Sequence, residues 1–166
     1  MTLNYRENIP PDFADDSRIW IYQSNRNLTD SEVKEINWSL QEFAMNWTSH
    51  ADKVKGFAKT FFGRFIIFMA DETATGISGC STDSSVRLVK SLENKFNVQL
   101  LERLNLAFFI DGEIKNFPLS ILEKALENDL INTSTLYFNN TVQTKKELME
   151  KWIIPVSESW LPVGSG

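Results

Sequence analysis

The segment Phe65-Ile66-Ile67-Phe68-Met69-Ala70 is apolar without interruption. Alternate side chains of a strand point to opposite faces of its sheet, so a strand with one wet face cannot carry such a run. Both faces must be covered, which predicts a central strand with packed layers on either side. The run is also far shorter than the roughly 20 apolar residues with which a helix crosses a bilayer. The expectation is a core strand and no membrane partner.

The surroundings of this strand set the fold class. Residues 56–62 form a second β-rich run, with Gly63 available for the turn between the two. Upstream, residues 18–24 alternate β-branched and aromatic side chains as a first strand, followed by the polar loop Asn25-Arg26-Asn27. Thr29 and Glu32 stand at capping-box spacing, and Val33, Ile36, Leu40, Phe43 and Trp47 then recur at helical spacing as far as Ser49-His50. A second helix is expected from near Asp83, with Val86, Val89, Leu92 and Phe96 on one face. Residues 104–110 and 113–117 flank Asp111-Gly112, the pair suited to a type I′ hairpin turn. A short helix at 120–128, a strand at 134–139 and a helix from Thr144 to about Trp152 complete the chain before Pro155.

The order β-α-β-β-α-β predicts an α+β fold, a mainly antiparallel sheet with helices on one face. Its core can be ferredoxin-like, with additions at the C-terminus. A chain of 166 residues with 42% hydrophobic residues, 7 Gly and 5 Pro is long and apolar enough to fold as one domain without staples. Residues 1–17, which include Pro10-Pro11, read as a lead-in arm, and 153–166 as a surface tail.

Charge and cysteine usage narrow the function. Net charge is −5 with no Lys/Arg cluster, which disfavours nucleic acid as a partner. The single cysteine, Cys80, rules out an internal disulfide, and residues 1–8 lack a basic and then apolar leader, so the expected location is cytoplasmic.

The loop Gly76-Ile77-Ser78-Gly79-Cys80-Ser81-Thr82-Asp83-Ser84-Ser85 joins the apolar strand to the second helix. Small side chains there leave backbone N–H groups accessible at a helix N-terminus, where the dipole favours an anion. Gly79, Cys80, Ser81, Thr82, Asp83, Ser84 and Ser85 are therefore candidate ligand-binding residues for a small anion or an acidic group of a protein partner. Arg87 lies one turn along the helix, and Arg18 and Arg26 lie beyond the ends of the first strand. Asp83 opposes this with a full negative charge, and Thr82 or Asp83 can equally act as a plain helix cap.

A second possibility is a thiol enzyme with Cys80 as nucleophile and His50 as base. Asp71, Glu72 and Asp83 work against a stabilised thiolate, and a free cysteine more often packs as a small apolar group. His50, at the end of the first helix, is more simply a C-terminal residue favoured by the dipole. One histidine and one cysteine cannot build a structural zinc site, and acidic loop residues are mostly solvated, so neither metal nor cofactor is assigned. Of the five tryptophans, Trp47 belongs to the helix's apolar stripe. Trp20, Trp38, Trp152 and Trp160 are left between core or tail packing, a groove, and the contact of a homodimer.

Residues 18–26, 64–72, 78–87 and 138–145 together resemble a family of uncharacterised bacterial proteins often labelled "ABC transporter ATPase". The block Gly79-Cys80-Ser81-Thr82-Asp83-Ser84-Ser85 is the most distinctive part of the likeness. It implies no role for any residue beyond the label's nucleotide chemistry. An ATPase of that kind holds its phosphates with a Gly-x-x-x-x-Gly-Lys-Ser/Thr loop, and no such string occurs here.

Overall fold

The computed structural model describes residues 1–163. Its elements in chain order are β1 (Arg18–Gln23), α1 (Asp30–Asn46), β2 (Thr48–Ser49), β3 (Asp52–Lys53), β4 (Lys55–Phe61), β5 (Phe65–Asp71), α2 (Gly79–Phe96), β6 (Asn105–Ile110), β7 (Glu113–Pro118), α3 (Leu122–Glu127), β8 (Leu136–Phe138), α4 (Lys145–Lys151) and β9 (Ile153–Pro155). Among the described residues no helix is long and apolar enough to cross a membrane.

The apolar run becomes β5, the middle strand of a three-stranded antiparallel sheet ordered β1-β5-β4, and every residue of it is buried. Ile66 and Phe68 face Ile36, Leu40, Val89 and Leu92 of α1 and α2. Phe65, Ile67 and Met69 face the other way, into a core shared with Leu148 of α4, Trp152, and Tyr5, Ile9 and Phe13 of the N-terminal arm. Burying each such side chain contributes about 1.5–3 kcal/mol, so a strand without a polar residue before Asp71 needs both layers.

A second antiparallel sheet, β7-β6-β8-β9, gives Ala107, Ile114 and Phe138 to that same core. Its far side packs Leu106, Phe108 and Tyr137 on Leu122 and Ala125 of α3. The layers therefore run helices, sheet, sheet, helix. The α+β class and the antiparallel pairing agree with expectation. A ferredoxin-like core would set the strand after α2 beside β1 in one sheet. Here β6 pairs with β7 and β8 instead, and β1 is antiparallel to β5.

Several boundaries differ from the sequence reading, each for a local reason. Helix α1 opens with the capping box at Thr29 and Glu32 but ends at Asn46, not His50. Trp47 turns out of the helix to bury its ring against Val54 and Ala70, and its Nε1 donates to the Ser81 carbonyl at 3.0 Å. His50 and Ala51, both at positive φ (51° and 69°), then form the turn of the small β2–β3 hairpin. The arm is packed rather than loose: the Tyr5 hydroxyl donates to the Leu148 carbonyl at 2.6 Å, and the buried Lys145 Nζ to the Phe13 carbonyl at 2.7 Å. Part of the expected tail is strand β9, paired with β8. Trp152 is wholly buried.

Polar side chains join the two sheets. Trp152 Nε1 donates to Asn140 Oδ1 at 3.0 Å, Asn140 Nδ2 to Gln23 Oε1 at 2.9 Å, and Gln23 Nε2 to the Asn105 carbonyl at 2.8 Å. Arg64 is buried and clamps the turn after β4, donating to Asn27 Oδ1 at 2.6 Å and to the carbonyls of Ile114 and Ser24 at 3.3 and 3.4 Å. Its burial lowers its pKa from the ordinary arginine value.

Candidate functional site

The loop singled out in the sequence becomes helix sooner than its composition suggests. Helix α2 starts at Gly79, with Ser78 rather than Thr82 or Asp83 as its cap. The Ser78 hydroxyl accepts from Ser81 N–H at 3.2 Å, and the Ser78 carbonyl from Thr82 N–H at 3.1 Å. The amides of residues 81–85 are thus taken up by the chain's own oxygens as the helix forms. The hydroxyls are engaged too. Ser81 Oγ donates to the Thr48 carbonyl, Thr82 Oγ1 to Ser78, Ser84 Oγ to Ser81 and Ser85 Oγ to Thr82. Asp83 and Arg87 are exposed on the first turns of α2. The Cys80 side chain lies outside the described residues.

Just before the helix, Glu72 reaches into the loop. Its Oε1 accepts from Ile77 N–H at 2.8 Å and stands 3.8 Å from Arg18 Nη1. Arg18 and the loop are therefore brought together, with the protein's own carboxylate between them. Arg26 is at the other end of β1. It holds Glu32 through two 2.8 Å hydrogen bonds and donates to the Phe96 carbonyl at 2.7 Å. The Arg26 hydrogen bonds, first among the causes, hold the Glu32 carboxyl down at about 2. His50, at its exposed hairpin turn, lines a shallow hollow of about 400 Å³ with the loop at 74–78. Among the described residues no three metal-ligating side chains converge.

A deeper feature opens along β1. The outer edge of this strand pairs only briefly with the segment before α4: Ile19 N–H donates to the Gln143 carbonyl at 3.0 Å, Lys145 N–H to the Ser17 carbonyl at 2.8 Å, and Arg18 bridges to Thr144. Beyond this bridge the two segments part. The gap is a groove of about 600 Å³ between β1, the stretch 137–144, and the residues leading into β6. Gln23 and Asn140, fixed by the relay between the sheets, line it with their amides.

Two arginines stand along the groove. Arg18 is about half exposed and stacks on the Trp20 ring at 4.8 Å. Arg103 stacks on Tyr22 at 5.1 Å and donates through Nη1 to the Ile21 carbonyl at 2.7 Å. Three residues of strand, roughly 10 Å, separate Arg18 from that carbonyl. Each guanidinium keeps further N–H donors beyond these contacts. Tyr137 and Trp160 meet edge to face at 6.4 Å in the same groove, and burial pushes the Tyr137 hydroxyl up to about 12, so it stays protonated. Although the chain carries 22 acidic against 17 basic residues, no carboxylate lines the groove among the described residues.

Of the ligand-binding candidates read from the sequence, Arg18 alone lies in this groove, together with Trp20 and Trp160 of the tryptophans left open as groove residues. Gln23, Arg103, Tyr137 and Asn140 come from strands, a loop and a linker far apart in the chain, and no spacing in the sequence announces their convergence. Arg18 and Trp20, on the same face of β1 and in contact with each other, were the visible half of the signal. No family model, curated protein or solved structure matches the chain.

Proposed function

We propose that the protein is a binding domain for a small anionic molecule with a flat or apolar part, held in the groove beside β1. The observation that carries this is the pairing of Arg18 and Arg103 in a groove without a lining carboxylate, on a chain of net charge −5. In such a setting each guanidinium can take a carboxylate or phosphate through charge-assisted hydrogen bonds. Trp20, Tyr137 and Trp160 supply apolar surface, and Gln23 and Asn140 supply amides that fix orientation, the usual make-up of a small-molecule pocket. Glu72 then acts as a stand-in for the ligand's charge at Arg18, loosely enough at 3.8 Å to be exchanged. With one cysteine and no internal disulfide, the chain suits the reducing cytoplasm, where small carboxylates and phosphates are abundant.

Isothermal titration with a panel of aromatic carboxylates and nucleoside monophosphates tests this. One class should bind saturably. Arg18→Gln and Arg103→Gln should each weaken it about tenfold or more, as losing a charge-assisted bond requires, whereas Arg87→Gln on α2 should not. Glu72→Gln should tighten binding by releasing Arg18. Affinity that survives the double arginine variant unchanged would count decisively against the groove and return attention to the start of α2.

A further inference from the structure

We infer that the open middle of the β4 edge, at Gly56 and Ala58, is a docking slot for an extended acidic peptide, which adds to the sheet as a short further strand. Strand β4 is the last in its sheet and pairs only with β5. In an antiparallel ladder alternate residues turn their N–H and C=O groups outward. The outward set is fixed by two contacts. Val54 N–H donates to the Trp47 carbonyl at 2.9 Å, and Thr60 N–H to Asn37 Oδ1 at 2.9 Å. Residues 54, 56, 58 and 60 therefore face away from β5. The two ends of the edge are closed by α1 and its cap, while Gly56 and Ala58 between them have no outward partner among the described residues.

This open window lies in a groove of about 560 Å³. One wall is α1, with Asn37, Gln41, Ala44 and Met45, and the other is Phe13 of the arm and Phe57. Met45 and Trp38, two turns apart on α1, are 63% and 64% exposed, a large apolar area to leave in water beside an open edge. Natural sheets protect an edge with a proline, a bulge, a short strand or a cover. Helix α1 and its cap cover the two ends of this edge, at Val54 and Thr60, but between them seven-residue β4 has no proline, and its register with β5 runs unbroken from Lys55 to Phe61.

Charge selects the occupant. Lys53, Lys55 and Lys59 line the groove and, among the described residues, no carboxylate does, again on a chain of net charge −5. Lys55 reaches Asp12 and Asp71 and Lys59 reaches Asn8, but Lys53 is exposed and has no ion pair among the described residues. A second copy of this chain would bring its own three lysines to the same edge, which like-charge repulsion opposes. An extended segment alternating acidic and apolar residues meets the backbone window, the aromatic and methionine walls, and the lysines together, the usual division of labour in strand addition.

The test uses the whole chain with a blocked ten-residue peptide of alternating glutamate and valine, labelled for fluorescence anisotropy, and a lysine–valine peptide as control. The acidic peptide should bind at least tenfold more tightly, and amide hydrogen exchange at Gly56 and Ala58 should slow when it is bound. Lys53→Glu with Lys59→Glu should reverse the preference between the peptides, and Ala58→Pro, which removes an outward donor without breaking a bond to β5, should abolish binding. Circular dichroism confirms that each variant keeps its fold. Equal binding of the two peptides, or binding with unchanged exchange at Gly56 and Ala58, would overturn the inference. So would a dimer by light scattering that protects these two amides without any peptide, since the edge would then belong to a second copy.

Discussion

Asp71, the last residue of β5, holds the start of the chain to its middle. Its carboxylate accepts from the Thr73 hydroxyl and amide and from Ala14 N–H at 3.0 Å, and these bonds hold its carboxyl at about 2 against an ordinary 3.8. A carboxyl whose folded pKa is depressed stabilises the fold above its unfolded value and loses that effect as pH falls toward the folded one. Asp71→Asn should therefore flatten the decline in stability between about pH 4 and pH 2, and should cost about 1–3 kcal/mol at neutral pH from weakened hydrogen bonds. Urea denaturation across that range reads both. Gly56 makes a steric point instead. A Cβ built there stands 2.7 Å from Trp47 Cε3, and Trp47 is buried and tied to Ser81. Gly56→Ala should lower stability by about 1–3 kcal/mol, as overpacking does, measurable as a lower melting temperature.

Elements announced by periodicity or turn chemistry were legible in the sequence. The capping box of α1, the apolar β5 and the Asp111-Gly112 turn, with φ of 52° and 79°, stand where their residues placed them. Elements set by tertiary contact were not. The start of α2 is hidden because Gly79 and a run of hydroxyl residues look like loop, yet their hydroxyls bond back into the first turns and Ser81 docks on Thr48. The β2–β3 hairpin has no alternation to betray it, and its turn puts His50 and Ala51 at positive φ, for which Ala51 is not a favoured residue and no glycine or asparagine marks the place. The groove was half visible for a similar reason: Arg18 and Trp20 share a strand, but Arg103 and Asn140 reach it only through the pairing of the second sheet. Ser78→Ala tests the observed start of α2. It removes the oxygen that accepts from Ser81 N–H and should cost about 1 kcal/mol. Amide exchange of Ser81 should rise sharply, while that of residues beyond Val89 stays as before.

Across the whole molecule, two sheets are held in register by a thin line of polar contacts through a largely apolar interior. Asn140 is the link that touches both Trp152 and Gln23. Asn140→Ala should leave the indole N–H and the Gln23 carbonyl oxygen without partners in a buried setting and cost about 2 kcal/mol or more. A double-mutant cycle with Gln23→Ala should show coupling, whereas strict additivity would mean that the sheets are aligned by apolar packing alone. The arm carries a further consequence. Tyr5 and Phe13 are fastened to Leu148 and Lys145, 143 and 132 residues further along the chain. During synthesis the aromatic rings of this segment must wait, unclaimed, until α4 has been made and docks, so this part of the core closes only after every element between them is laid down.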